Sequence, residues 1–219
     1  MTTATGVVAP FKAHIEIPAG DSARLAADVT IPDDAAGVVV FAHGSGSSRR
    51  SPQNCYVACE LNSARLATVL ADLLTGKEED FDIPLLTQRV IAVIDWARLY
   101  PPLATMPMGL FGASSGAAAA LDAAALRPDI VKAVASRGGR PDLASHLGQV
   151  KAPALLIVGG EDAGVIELNA NALRQLQPPK RLDIVPGATH LLEEEGALED
   201  VATIAAIWFR EHLGIQPHP

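Results

Sequence analysis

Aromatic side chains are scarce here: Phe, Tyr and Trp make up 4% of 219 residues. A core without them must be filled by small and branched aliphatic groups, so closely packed layers are expected. Cysteine is scarcer still, with only Cys55 and Cys59. They stand four apart on a predicted helix, too near each other to staple a fold. No third or fourth soft ligand stands nearby to complete a zinc site. Both are expected to be small core residues. Apolar runs are short, none reaching the roughly 18 residues that suggest a membrane span. Met1–Thr5 lacks the charged-then-apolar pattern of a secretion signal. The expectation is a cytoplasmic chain. Positive charge is in deficit too: 17 Lys and Arg against 25 Asp and Glu leave a net charge of −8. That balance argues against nucleic acid and anionic membranes as partners.

What is present is an ordinary globular composition, 49% hydrophobic and 19% charged, with a length that fits one domain over residues 1–219. Ala13–Ile17 and Leu25–Ile31 read as a half-exposed hairpin at a sheet edge, with His14 as a surface residue. From Val38 onward strands alternate with helices. Val38–Ala42, Ala67–Leu74, Met108–Phe111, Val131–Ser136, Ala154–Val158 and Arg181–Val185 are apolar strand segments. A helix starts around Asn54, with Val57, Leu61 and Leu66 on its apolar face. Further helices are expected over Ile83–Tyr100, from the elbow described below to Arg127–Pro128, over Glu167–Leu176 and over Ala197–Leu213, with a short one over Leu143–Leu147. Trp96 reads as a packing residue. Gly76–Asp82 reads as a solvated acidic loop. The alternation predicts a three-layer α/β/α sandwich on a mostly parallel, eight-stranded sheet. Ligands of such sheets bind beyond the carboxyl ends of the strands.

The most informative stretch is Met108–Leu121. A short buried strand runs into Gly112-Ala-Ser-Ser-Gly116, and an alanine-rich helix follows at once. This is the strand–turn–helix setting of a G-x-S-x-G nucleophile elbow, with Ser114 as the nucleophile. The turn is tight, so the residues two before and two after the serine must be small; Gly112 and Gly116 meet that need. The helix start places backbone N–H groups where an oxyanion would form.

A serine hydroxyl is a weak nucleophile and needs a base, which in turn needs an orienting carboxylate. Asp162 follows the Ala154–Val158 strand, and His190 follows the last strand in Pro186-Gly-Ala-Thr-His190. Glu161 competes with Asp162 for the acid. His43, His146, His212 and His218 are the other histidines on this part of the chain, none of them after a strand at the place the base needs. The backbone N–H of Ser115 is one expected oxyanion donor, and Ser45 or Gly46, in the polar loop after the Val38–Ala42 strand, supplies the other. Gly44-Ser-Gly46 lacks the third glycine of a dinucleotide loop, and no phosphate-binding G-x-x-x-x-G-K-[ST] occurs.

With these residues in hand the chain resembles the α/β-hydrolases, and within them the small dienelactone-hydrolase-like group. The segments that carry the likeness are Phe41–Ser48, Leu110–Gly116, Ser136–Asp142, Leu156–Asp162 and Pro186–His190. The resemblance implies Ser114, Asp162 and His190 as a catalytic triad. Dienelactone hydrolases carry cysteine at the nucleophile position, and Ser114 stands there here, so the implied reaction is general ester hydrolysis. Only about a dozen residues separate Arg137 from Val150, close to an ordinary connection, so the lid is expected to be minimal. The site is then open, or covered by the partner subunit of a homodimer.

The expectation is a serine hydrolase of small carboxylic esters or lactones, with no cofactor and no metal. Acyl transfer or perhydrolysis on the same triad is one alternative; a non-catalytic ligand-binding protein on the hydrolase scaffold is another. Arg49, Arg50, Arg137 and Arg140 fall in loops predicted at the active-site end, and with Gly46 they are candidate substrate contacts. They would clamp a carboxylate or phosphate on an anionic substrate, or they are simply solvated.

Overall fold

The computed structural model describes residues 10–20, 23–44, 46–75, 82–177 and 179–215. Eight strands form one sheet: β1 (Phe11–Ala19), β2 (Ala23–Ile31), β3 (Gly37–Ala42), β4 (Leu66–Ala71), β5 (Met108–Ala113), β6 (Val131–Arg137), β7 (Ala154–Gly159) and β8 (Lys180–Val185). Their order across the sheet is β1-β2-β4-β3-β5-β6-β7-β8. β1 pairs antiparallel with β2, and β2 with β4; every pairing from β4 to β8 is parallel. Parallel neighbours need crossovers, supplied by α1 (Pro52–Ser63), α2 (Ile83–Leu99), α3 (Gly116–Leu126) and α4 (Ala163–Gln175); α5 (Ala197–His212) closes the chain.

Side chains alternate across a strand, so each central strand feeds two cores. On β3, Val38, Val40 and Ala42 join α2 and α3 on one face, while Val39 and Phe41 join α1 and α5 on the other. That is why β3 and β5 are wholly buried and read as unbroken apolar runs. β1 shows the opposite case: Ile17 and Ala19 face in, while Lys12, His14 and Glu16 face out. α3 lies over the middle of the sheet, with Ala117–Ala120 at 0% exposure. A helix buried on nearly every side packs closely only if its side chains are small.

The helix starts follow local chemistry. Ser51 accepts from the Asn54 N–H ahead of Pro52, and Asp82 accepts from the Leu85 N–H at 2.9 Å. Several details differ from the sequence reading. Leu66 opens β4 instead of belonging to α1, which ends at Ser63. Cys55 and Cys59 are exposed, because α1 turns Asn54, Val57, Ala58 and Leu61 inward. Leu143–Leu147 is not one helix but lies between two short 3₁₀ turns, Pro141–Leu143 and Leu147–Gln149. α4 starts at Ala163, four residues before the expected Glu167. Residues 76–81 of the acidic loop lie outside the described residues. Trp96 packs as expected, stacked on Tyr100 with ring centroids 4.9 Å apart.

From β3 the chain moves to β4 on one side, then returns to β5 on the other. The loops leaving β3 and β5 therefore part company at the carboxyl end of the sheet and leave a crevice there. Among the described residues no helix is long and apolar enough to cross a membrane, and no group of three His, Cys, Asp or Glu side chains could hold a metal ion.

Candidate active site

The crevice is occupied by the tight turn between β5 and α3 that carries Ser114. Ser114 has φ = +52°, a left-handed conformation that costs a non-glycine residue on the order of 1–3 kcal/mol. The surroundings hold it there. The Ser114 N–H donates to the Arg137 carbonyl (3.3 Å), and its own carbonyl accepts from the N–H groups of Ala117 (3.1 Å) and Arg140 (3.0 Å). The flanking glycines are required by close approach. A Cβ on Gly112 would sit 2.5 Å from the Ala117 Cα, and one on Gly116 would collide with the Ala42 carbonyl. Gly44, leaving β3, runs across the elbow: a Cβ there would lie 2.7 Å from the Ser114 Cβ and 3.1 Å from the Ser115 nitrogen. Ser115, buried, stands at the position just before α3.

The acid and the histidine arrive from the next two parallel strands. The loops after β7 and β8 are tied together: Gly160 N–H donates to the Val185 carbonyl at 2.8 Å and Glu161 N–H to the Ala188 carbonyl at 2.9 Å. This brings His190 Nδ1 to 2.6 Å from Asp162 Oδ2. Glu161, the competing acid, is exposed. With Nδ1 engaged by the carboxylate, Nε2 on the opposite side of the ring is the nitrogen left for proton transfer. Gly138 backs this imidazole, its Cβ position lying 3.7 Å from the His190 Cε1.

Ser114 and His190 line the same cavity, of about 560 Å³, at whose rim the His190 side chain is 45% exposed. Gly46, Arg50, Gln53 and Arg137 line it too. Arg137 reaches it from the end of β6. Its Nη1 donates to the Leu191 carbonyl (3.2 Å), while its buried Nε has no hydrogen-bond partner among the described residues. Burial pushes the Arg137 pKa down, with Glu193 pulling the other way. The other two arginine expectations need correction. Arg49 is not part of the cavity lining: its guanidinium is held between Asp28 on β2 (3.1 Å) and Asp72, and its N–H donates to Asp72 Oδ1 at 2.7 Å. Arg140 forks onto Asp142, with N–O distances of 2.9 and 2.8 Å, and touches the site through its backbone alone. Ser45 lies outside the described residues.

Sequence reasoning missed what His43 does. It is buried at 3% exposure, with Nδ1 at 3.0 Å from the Gly44 carbonyl and Nε2 at 2.8 Å from the Leu73 N–H. The available signal was its position, a histidine just before the glycine that leaves β3. Burial pushes its pKa down, partly opposed by the Gly44 hydrogen bond and by Asp72.

No protein-family model matches the chain. Curated relatives from two strains of Mycobacterium tuberculosis, each named "Putative phosphoribosyl transferase", are 52% identical over 206 residues, 91% of this chain. The chain spans only 46% of their length. Among solved structures, Est1E from Butyrivibrio proteoclasticus has a TM-score of 0.79 at 18% identity, covering 92% of this chain and 99% of its own. A serine hydrolase without a lid from Xanthomonas campestris has a TM-score of 0.76 at 21% identity, covering 94% and 97%. These two share the fold. A dienelactone hydrolase from Anabaena variabilis is much nearer, with a TM-score of 0.90 and 50% identity, covering 93% of this chain and 98% of that one. With half of its residues identical over nearly the whole of both chains, this α/β-hydrolase-fold protein belongs to the dienelactone hydrolase family.

Proposed function

We propose that the chain is a serine hydrolase that cleaves small carboxylic esters or lactones through an acyl-enzyme on Ser114. The observation that carries this reading is the strained serine and the Asp162-bound His190 on one cavity. Ser114 Oγ attacks the carbonyl carbon while His190 Nε2 takes its proton, and Asp162 holds the imidazole tautomer and stabilises the imidazolium. The oxyanion is met by the Ser115 N–H and by an amide of the loop after β3. Collapse of the tetrahedral intermediate expels the alkoxide, which His190 protonates; in a lactone the alcohol stays tethered to the acyl group. Water, deprotonated by His190, then releases the acid.

Two further features support a small, anionic substrate. His190 is open to solvent, which suits soluble esters more than long lipids. Arg50 and Arg137 both border the cavity, and Arg137 Nε is a buried donor with no partner among the described residues. The transferase name of the mycobacterial relatives belongs to proteins that this chain matches over less than half their length. We assign that step to the remaining part of those proteins and ester cleavage to this part.

A fluorophosphonate probe tests the assignment. Wild-type protein should be labelled and should hydrolyse p-nitrophenyl acetate. Ser114→Ala should lose labelling and about 10⁶-fold in rate, the scale seen when a triad nucleophile is removed. Ser115→Ala keeps its backbone N–H and should keep being labelled. Labelling that persists in Ser114→Ala overturns the reading.

A further inference from the structure

Asn169 is polar and wholly buried, and the chemistry proposed above makes no use of it. It stands on α4, whose buried residues are Asn169 and Ala172. The inward face of a helix ordinarily carries apolar groups, and a leucine has the same branching with no polar atom to satisfy. Asn169 Nδ2 donates twice: to the Val165 carbonyl of its own helix at 2.8 Å, and to the Gly139 carbonyl in the loop after β6 at 2.9 Å. Its Oδ1 is buried with no hydrogen-bond partner among the described residues. Packing alone does not account for such a residue. We infer that Asn169 is a positioning residue that sets the peptide holding the strained Ser114, an inference resting on the hydrolase reading above.

The link runs through one peptide group. The Gly139 carbonyl and the Arg140 N–H belong to the same planar unit and point to opposite sides of it. Asn169 holds the oxygen, and the N–H donates to the Ser114 carbonyl at 3.0 Å. At the start of the same loop the Arg137 carbonyl accepts from the Ser114 N–H. Residues 137–140 therefore grip Ser114 at both of its backbone polar groups. They lie tightly against their neighbours. A Cβ on Gly139 would sit 2.6 Å from the Ala117 Cβ of α3, and one on Gly138 would sit 3.0 Å from the His190 carbonyl oxygen.

The third triad member is tied in from the other end of α4. Asp162 stands just before the first residue of that helix. Asn169 is about 10 Å further along its axis, by the 1.5 Å rise per residue. One side-chain amide thus fastens the helix that follows Asp162 to the loop that holds Ser114 and backs His190. With the Gly139 oxygen released, the peptide is free to rotate, and the Arg140 N–H leaves the Ser114 carbonyl. The strained turn then keeps only the Ala117 N–H on that oxygen. Ser114 Oγ shifts relative to His190 Nε2, and a misplacement of about 1 Å costs about 10²-fold in rate. Neither Asn169 nor Gly139 is among the residues lining the cavity, so substrate binding is left alone.

The test uses three variants of the whole chain. Asn169→Leu keeps the branching and can donate to neither carbonyl. Asn169→Ser has a hydroxyl that bonds the carbonyl one turn back, that of Val165, but is too short for Gly139. Ala172→Gly weakens the same helix from its other buried position and leaves the Gly139 bond in place. Steady-state hydrolysis of p-nitrophenyl acetate is measured beside inhibition by phenylboronic acid, whose tetrahedral serine adduct mimics the reaction intermediate, and beside the urea midpoint. Asn169→Leu and Asn169→Ser are expected to lose about 10–100-fold in kcat, with KM within about threefold of wild type. Boronate affinity should fall in step with kcat. Ala172→Gly should lower the urea midpoint and keep kcat within about threefold of wild type. Unchanged kcat in folded Asn169→Leu or Asn169→Ser overturns the inference. So does a fall in kcat with undiminished boronate affinity, or an equal fall in Ala172→Gly. Should Asn169→Leu not fold, Asn169→Ser decides. A wild-type protein that neither hydrolyses the ester nor binds boronate fails the hydrolase reading and this one together. An active wild type with indifferent Asn169 variants fails only this one.

Discussion

Two of the His–Asp pairs in this protein look interchangeable as distances and are not. His190 Nδ1 lies 2.6 Å from Asp162, and His146 Nδ1 lies 3.1 Å from Asp122. Asp122 is buried on α3 and accepts three backbone contacts, from Ser145 N–H at 3.0 and 3.1 Å and from His146 N–H at 2.8 Å. Main-chain donors hydrogen-bond its carboxylate in place of water, and the result is a fastening of the segment after β6 to α3. Asp162 sits at the start of α4, and the ring it holds opens on the cavity that Ser114 also lines. On the hydrolase reading proposed above, what separates a tether from an acid–base unit is not the His–Asp contact. It is what else the carboxylate holds and what lies beyond the far nitrogen of the ring.

The largest expected difference between the pairs comes from removing charge at Asp162. Asp162→Asn should leave the fold intact but lower kcat by about 10⁴-fold, because an amide no longer selects the tautomer or stabilises the imidazolium. Hydrolysis of p-nitrophenyl acetate at neutral pH measures it. A fall of less than about tenfold would erase the distinction and reduce Asp162 to a second tether.

A smaller effect probes what surrounds the first pair. Arg137→Ala removes a half-buried cation from the cavity beside His190. Its loss should cost an anionic ester about 10–100-fold more in kcat/KM than a neutral ester of equal size, the worth of a hydrogen bond to a charged group. Equal losses on both esters would mean that Arg137 only props the His190 loop through the Leu191 carbonyl.

How much of this could be read from residue order depends on the range of the forces involved. β3, β5 and β7 were legible because burial on both faces demands unbroken apolar runs. The tight turn at Ser114 was legible because close approach at Gly112 and Gly116 admits almost nothing else. Asp162 and His190 could be nominated by their positions after β7 and β8, and they do meet. The arginines were less legible, since Arg49 is claimed by Asp28 and Asp72, both more than 20 residues away. Arg140 is claimed by Asp142, two residues on, and that pairing was open to view. Cys55 and Cys59 were placed in the core on residue type, yet α1 buries the polar Asn54 and leaves both thiols exposed. There the rotation of the helix, set by packing against α5, overrides propensity. His43 was hidden for a related reason: its partner Leu73 is 30 residues away and offers a backbone N–H, a group every residue but proline carries.

The second pair should answer in stability and barely in rate. Asp122→Asn leaves one oxygen to accept from Ser145, His146 or both, but turns the other into an NH₂ group that can only donate. Hydrogen bonds to a charged acceptor contribute about 1.5–3 kcal/mol, so the variant should lose stability on that scale. Urea denaturation would show a lower midpoint at unchanged slope. Rate should be spared because the segment is pinned again nearer the nucleophile, where the Arg140 N–H donates to the Ser114 carbonyl at 3.0 Å. Loosening the tether at Asp122 frees residues about 12 Å along the helix from Ser114, by the 1.5 Å rise per residue, and leaves that nearer anchor in place. Assayed well below its unfolding midpoint, Asp122→Asn should keep kcat within about threefold of wild type, since neither His190 nor its acid is among the groups released. A loss of rate rivalling that of Asp162→Asn, without a matching loss of stability, would put both carboxylates in the same role and break the comparison from its other side.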